Sequence, residues 1–303
     1  MCNTLDFKDI SIKDREAVLH FTLPGERRHC DLSFSNMMSW LHVCGTQWAI
    51  LRDTMLLRFR IRGHLRYMMP VGAHPAEALQ ALLQDAATLD EPFFIQGIIE
   101  EDLPLLRAAG LPEATANRDF AEYIYRREDL AGLHGKRLQA KRNFCNRFRT
   151  LYPDWQYVHI PDGNITQEQA DICLQLEETW YRLNEEKHPH FGQSLERQAV
   201  IYALRHFREL RLTGGILYAG GMPVAFTFGS AINYDTFDVH AEKALTAYEG
   251  AYAVINWSFA SHLPESFTYM NREEDMGVPG LRQAKLSYHP YRLLDKYTVA
   301  CRV

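Results

Sequence analysis

The order of periodic segments constrains this 303-residue chain more than any single motif, because one succession runs twice. Each half passes through helices, a strand meander, a helix, a strand, a helix and a strand. In the first half, Ser33 to Val43 has the pattern of a helix, with Ser33 or Asp31 as its cap. WAILRD, TMLLRFRI and LRYMMPV read as three consecutive strands. Pro75 opens the helix PAEALQALLQDAATL, since proline suits a first helical position. FFIQGI is a short strand, EEDLPLLRAAG a helix stopped by Gly110, and AEYIYRRE a further strand. A basic helix closes the half. The second half opens on the strand WQYVHI, then the long helix TQEQADICLQLEETWYRLNEE from Thr166 and another from Ser194 to Arg208. Three strands follow, GGILYAG, MPVAFTFGSAI and TFDVHAEKA, the first two joined by the hairpin turn Gly220-Gly221. AYAVINWSFASHL is a helix, FTYMN a strand, PGLRQAKLSY a helix and RLLDKYTVACRV a terminal strand.

That order resembles the acyltransferase fold called GNAT, in two tandem copies. The expected class is α+β, with mixed central sheets flanked by helices. The expected domains are a GNAT-like copy over 1–152, ending in the basic helix, and a second copy over 153–303 that carries the site. Fold alone does not give chemistry.

The basic helix holds six Lys or Arg and no acid between His134 and Arg149, in a chain of net charge −5. From Lys136 to Leu151, the residues Leu138, Ala140, Phe144, Cys145, Phe148 and Leu151 share one arc. Lys136, Gln139, Arg142, Asn143, Asn146, Arg147 and Arg149 fill the other, as a solvated face would. Arg137 and Lys141 break the pattern by falling on the apolar arc. Charges facing inward must be paired or must meet a ligand, so either an ion pair or an anion site is implied. The negative overall charge gives no global sign of DNA or other nucleic acid, and any basic patch is local. The six cysteines (Cys2, Cys30, Cys44, Cys145, Cys173 and Cys301) form no CxxC and have no His at zinc spacing, so no metal site is expected and reduced thiols in the cytoplasm are. The start, MCNTLDFKDISIKDRE, lacks the apolar run of a signal peptide, and no window suits a membrane span, which leaves peripheral membrane contact.

Two further segments carry chemistry. In DVHAEKALTAYEGAYAVIN a strand ends near Lys243 and a helix begins near Gly250, leaving free N–H groups fit for a phosphate. GNAT enzymes hold coenzyme A there with Q/R-x-x-G-x-G/A. Ala247, Gly250 and Tyr252 stand at those positions, and only the glycine fits. Close packing of helix on sheet explains Gly250 and Ala251 equally. Glu242 and Lys243 are adjacent on a strand and point to opposite faces, so Glu242 is either a general base or an exposed carboxylate. In NREEDMGVPGLRQAKLSYHPYRLLDKY, three acids precede a helix start at Pro279, where one of Glu273, Glu274 and Asp275 suffices as a cap. Arg282 and Lys285 share a helix face beside them.

Together these segments resemble a family of standalone bacterial proteins related to the C-terminal domain of phosphatidylglycerol lysyltransferase. The resemblance rests on Leu130, Gly132, Lys141, Arg142, Asn143 and Phe148, then on His240, Glu242, Lys243, Ala244, Tyr248, Gly250, Ala251, Tyr252, Ile255 and Asn256. It continues through Asn271, Glu273, Asp275, Gly277, Gly280, Leu281, Arg282, Ala284, Lys285, Ser287, Tyr288, Pro290, Leu293, Lys296 and Tyr297. Glu274 departs from it, standing where an amide-type residue is expected. The resemblance implies a tandem GNAT fold of the Fem-like aminoacyltransferase type, with aminoacyl-tRNA or acyl-CoA as donor and no cofactor required. The acceptor it implies is a small anionic or lipid-linked amine or hydroxyl compound. On this reading Arg137, Lys141, Arg142 and Asn143 bind the donor's phosphates, together with Lys243, Tyr248, Gly250, Ala251, Tyr252 and Asn256. Asp275 or Glu242 serves the acceptor amine, and Arg282 and Lys285 hold an anion or oxyanion. Asn271, Glu273, Gly277, Gly280, Tyr288 and Lys296 support them. The alternative is a GNAT-like module that binds an anionic ligand and catalyses nothing.

Overall fold

The computed structural model describes residues 5–89, 91–185 and 191–301. The first half contains β1 (Lys8–Asp9), α1 (Arg15–Thr22), α2 (Phe34–Ser39), α3 (Leu41–Cys44), β2 (Gln47–Ile50), β3 (Thr54–Ile61), β4 (His64–Met68) and β5 (Val71–Gly72). Then come α4 (Pro75–Leu89), β6 (Phe93–Ile98), α5 (Leu103–Ala108), β7 (Thr115–Ala116), β8 (Glu122–Arg126), α6 (Arg127–Gly132) and α7 (Gln139–Leu151). The second half contains β9 (Gln156–Ile160), α8 (Gln167–Glu185), α9 (Phe191–Arg205), β10 (Thr213–Ala219), β11 (Met222–Ala231) and β12 (Thr236–Ala244). It ends with α10 (Ala251–His262), β13 (Tyr269–Glu274), α11 (Pro279–Leu286), β14 (Arg292–Leu294) and β15 (Tyr297–Cys301).

Two mixed sheets result. One runs β1-β2-β3-β4-β6-β15-β7 with β5 on β3, the other β14-β8-β13-β12-β11-β10-β9. Among the described residues two strand pairs are parallel, β4 with β6 and β12 with β13. The sheets exchange strands across residue 152. β8, from the first half, pairs with β13 and β14, while β15, from the end of the second, pairs with β6 and β7. One apolar cluster joins the halves: Val18, Leu32, Phe34 and Trp48 pack with Leu204, Phe207, Ile216 and Phe226. About 25 cal/mol per Å² of such buried apolar surface is the main stabilisation of this arrangement.

Local chemistry explains most boundaries. Gly220 and Gly221 both have positive φ (61° and 70°), which closes the β10–β11 hairpin. Ser33 caps α2 by accepting from Asn36 N–H. The helix expected from Ser33 to Val43 breaks at Trp40, whose ψ of 4° leaves the helical region. Thr166 precedes α8 as its cap: its hydroxyl accepts from Gln169 N–H at 3.2 Å, and Gln169 returns a bond at 3.0 Å. The expected end of that helix, Glu186, lies outside the described residues, as do Cys2 and the last two residues, 302–303. The helix expected from Ser194 to Arg208 is α9, which begins at Phe191 and stops at Arg205. The terminal strand is really two, broken at Asp295 and Lys296. The basic helix starts at Gln139, not Lys136, so Arg137 lies in the preceding turn and is exposed. Lys141 is therefore the sole inward cation of the pair. No helix among the described residues is long and apolar enough to cross a membrane.

Candidate functional site

Period-two alternation along β12 sends Glu242 and Lys243 to opposite faces. On one side Glu242 accepts from Arg272 Nη2 at 2.8 Å through Oε1 and from Asn256 Nδ2 at 2.8 Å through Oε2. Arg272 comes from β13 and Asn256 from the interior of α10. The Arg272 guanidinium lies 4.8 Å from the Tyr288 ring centre and 5.6 Å from that of Tyr125. Lys141 Nζ sits 3.9 Å from the same Tyr288 ring. Such cation–ring contacts hold a charge that has lost part of its water. Burial, aided by the nearby Arg272 charge, pushes the Lys141 pKa down to about 8, and Glu242 opposes this in part.

Two atoms here lack partners. Arg272 Nη1 and Asn256 Oδ1 are buried and form no hydrogen bond among the described residues. Each such atom costs about 1–3 kcal/mol, so the sequence maintains an open donor and an open acceptor at a price in stability. Chemically the group offers a carboxylate that can take a proton and two cations beside it that can hold a developing negative charge.

On the opposite face Lys243 is buried, donates to Glu196 of α9 and lies 3.6 Å from the Trp180 ring. Trp180 Nε1 donates to the Tyr252 hydroxyl at 2.8 Å. The Tyr248 ring packs at 5.4 Å from Tyr152. Gly250 has φ 88°, and a Cβ there would stand 2.6 Å from the Phe144 carbonyl oxygen of α7. Ala251 is buried behind it. Contact of α10 with α7 thus accounts for Gly250 and Ala251 without a bound phosphate.

The third segment lies at the end of β13, where pairing with β8 shifts between Asn271 and Glu274. Asn271 is buried and donates to the Arg28 carbonyl at 2.7 Å and to Glu122, and its Oδ1 accepts from Glu273 N–H at 2.8 Å. Glu273 takes the left-handed conformation, φ 53°, in this bulge. Lys296 pairs with Glu122 at 2.7 Å, with Asp31 at 3.0 Å and with Glu274. These carboxylates raise its pKa well above that of an ordinary lysine. The acid at 274 shares this single ammonium with two other carboxylates, and burial pushes its pKa above the usual carboxylate value although Lys296 opposes this.

Asp275 is fully buried and accepts from Arg282 Nε (2.8 Å), Arg282 Nη2 (2.7 Å), Arg118 (3.1 Å), Tyr123 (2.5 Å) and Gly277 N–H (2.9 Å). Burial opposes its ionisation, but these bonds win and hold its pKa below the usual carboxylate range. A carboxylate so saturated is a poor base. Gly277, φ 75°, lies against Asp119, which Arg282 also binds, at 2.7 Å. A Cβ on Gly280 would meet nothing. Lys285 Nζ donates to the carbonyls of Arg272 and Glu274, each at 2.5 Å, and so ties α11 to the strand end.

Lys141, expected to hold the donor's phosphates, and Arg282 and Lys285, expected to hold an anion or oxyanion, are each held by different partners. Arg142 Nη1 donates to the carbonyls of Gly135 (2.7 Å) and Leu133, closing the turn before α7, and Asn143 is exposed. Of the expected residues, Glu242, Asn256, Lys141 and Tyr288 are brought together. Arg272 completes their group and went unrecognised, although it stands next to Asn271 in the most specific motif. Glu122, Asp31, Arg118 and Tyr123 were equally invisible, because each lies far along the chain from its partners.

A family model described as phosphatidylglycerol lysyltransferase, C-terminal, matches residues 24–300. A conserved protein of unknown function from Bacteroides thetaiotaomicron, known from its crystal structure, is 46% identical; the match covers 98% of this chain and 100% of that one, with a TM-score of 0.93. The L-PGS of Bacillus licheniformis matches in fold, with TM-score 0.67 and 14% identity over 97% of this chain and 93% of that one. A tandem GNAT protein from the clavulanic acid biosynthesis pathway matches with TM-score 0.50 and 12% identity over 98% of both chains. The fold is therefore GNAT-like. An uncharacterized protein of Mycoplasmoides gallisepticum is 28% identical over 183 residues, 58% of this chain, and the match spans about half, 55%, of that relative's length.

Proposed function

Because the chain belongs to the family of the C-terminal domain of phosphatidylglycerol lysyltransferase, we propose that it moves an aminoacyl group from tRNA to an amine or hydroxyl of an anionic or lipid-linked acceptor. The observation that carries this reading is Glu242, gripped by Arg272 and Asn256, beside the buried and unpartnered Arg272 Nη1 and Asn256 Oδ1. Asn256 Oδ1 would accept one hydrogen of the acceptor amine or its hydroxyl proton and so aim the nucleophile. Attack on the ester carbonyl forms the new N–C or O–C bond, and the departing proton passes to Glu242. Lys141 and Arg272 Nη1 would stabilise the oxyanion. Its collapse breaks the ester bond and releases the ribose oxygen of the tRNA, which takes the proton from Glu242 and leaves as the hydroxyl. The donor ester is already activated, so positioning and charge stabilisation supply most of the rate.

Two features favour aminoacyl-tRNA over acyl-CoA. The coenzyme A signature is not met at Ala247 and Tyr252, and Gly250 is occupied by contact with Phe144. The exposed Lys136, Arg137 and Asn143 next to Lys141 suit a phosphate backbone. The reaction would then run on the cytoplasmic side, where charged tRNA is found. A non-catalytic, anion-binding module remains the second reading, favoured by the saturation of Asp275 and Arg282 by one another.

Purified protein incubated with labelled aminoacyl-tRNA or acyl-CoA and extracted lipids tests this. Labelled lipid from the aminoacyl-tRNA arm is expected. Transfer only from acyl-CoA overturns the donor assignment; no transfer from either, with tight binding of a small anion, establishes the module.

A further inference from the structure

We propose that Cys30, Asp238 and Glu273, with His240 orienting Glu273 from behind, bind one divalent transition-metal ion of the zinc type. Cys30 belongs to the segment leading into α2, Asp238 and His240 to β12, and Glu273 to the bulge of β13. One ligand atom from each of Cys30, Asp238 and Glu273 lies within 4.8 Å of the others. Asp238 is fully buried, and neither of its carboxylate oxygens has a hydrogen-bond partner. An ionised carboxylate in that position is costly unless a cation meets it. The sole ion-pair contact that Asp238 makes among the described residues is 3.4 Å to His240 Nδ1, which also lies 3.2 Å from Glu273 Oε1.

His240 stands behind the cluster rather than in it. Its Nε2 pairs with Ser230 Oγ at 2.8 Å, and Ser230 with Ser33 Oγ at 3.0 Å. A ring fixed through Nε2 meets Glu273 Oε1 through Nδ1 at 3.2 Å, and so orients that carboxylate toward Cys30 and Asp238 as an outer partner of a metal ligand does. A second set of donors, Cys30 with Asp31 and Glu122, is close enough but already holds the Lys296 ammonium. Asp238 has no Lys or Arg ion pair of that kind among the described residues. The thiol selects against magnesium and calcium and for a borderline-soft ion such as Zn²⁺. On binding, Cys30 loses the proton it now donates to Glu122 (3.2 Å), and that proton goes to solvent. The ion would fasten the Cys30 segment, from the first half, to two strands of the second sheet.

The full chain, stripped with EDTA and titrated with ZnCl2 by calorimetry, should bind one ion with proton release. Co²⁺ in its place should show a thiolate-to-cobalt charge-transfer band. Cys30→Ser should abolish the band, and Asp238→Asn should weaken Zn²⁺ binding by at least about 100-fold, ligand loss exceeding the 10–100-fold typical of outer-shell changes. Should Asp238→Asn fail to fold, the Cys30→Ser titration and the cobalt spectrum decide. Absence of stoichiometric Zn²⁺ binding by the wild-type chain, or binding and a band that persist in Cys30→Ser, overturns the proposal. Neither readout depends on aminoacyl transfer.

Discussion

Arg272 and Arg282 each bind a carboxylate, yet the two pairs differ in kind. Arg282 meets Asp275, whose oxygens are filled by donors from four residues, and its own side chain is 32% exposed. Nothing in that cluster asks for a further partner. Arg272 meets Glu242 with only 11% exposure, and one of its nitrogens donates to nothing. Both pairs carry perturbed charge, so perturbation alone does not separate architecture from chemistry. Unfilled hydrogen-bonding capacity in a buried position does.

The contrast can be broken by experiment. Glu242→Gln keeps the shape and an oxygen for Arg272, while its NH2 turns to Asn256, whose amide must flip to accept from it, and the proton acceptor is removed. Turnover of aminoacyl-tRNA should fall by about 10²–10⁴-fold, with little change in melting temperature. A variant that transfers normally ends the role of Glu242. Asp275→Ala should behave in the opposite manner: urea unfolding should show a loss of about 3–5 kcal/mol, while the remaining folded protein transfers normally. Lost turnover at unchanged stability would move Asp275 into the chemistry. Lys141→Met should lower turnover by about 10²-fold as an oxyanion contact is lost. In the wild type, inhibition by inorganic phosphate should weaken as pH rises through about 8, where Lys141 gives up its charge, and Lys141→Arg should remove that dependence. Stability should move the other way. Between about 8 and the ordinary lysine value of 10.5, the unfolded chain keeps a proton that the folded chain has shed, so this group makes stability rise with pH. The smallest effect is expected at Gly250, where Ala must accept φ 88° and face the Phe144 oxygen at 2.6 Å; a loss of about 1–3 kcal/mol with turnover retained would confirm a packing role.

The sequence revealed what repeats locally and hid what pairs at a distance. The meander β10–β11–β12 and the opposed faces of Glu242 and Lys243 follow from period-two alternation, which any strand must show. Pro279 and Gly250 marked helix starts because their backbone requirements are their own. Arg137 was misplaced because the 3.6-residue period was extended back to Lys136, before the true start of α7 at Gln139. Arg272 reads as one more polar residue at a strand end, since its partners Glu242 and Tyr288 come from other elements. The single terminal strand was divided for a reason no local pattern carries. Lys296 is drawn to Asp31, Glu122 and Glu274, and the chain leaves one sheet for the other there.

That passage from sheet to sheet has a consequence for biosynthesis. β15 sits between β6 and β7, so the edge of β6 stays open until Tyr297–Cys301 has been synthesised and has cleared the ribosome. The amino-terminal half cannot settle ahead of its neighbour, as tandem units ordinarily do. The two lobes should instead close together, once β15 is available, as one cooperative event.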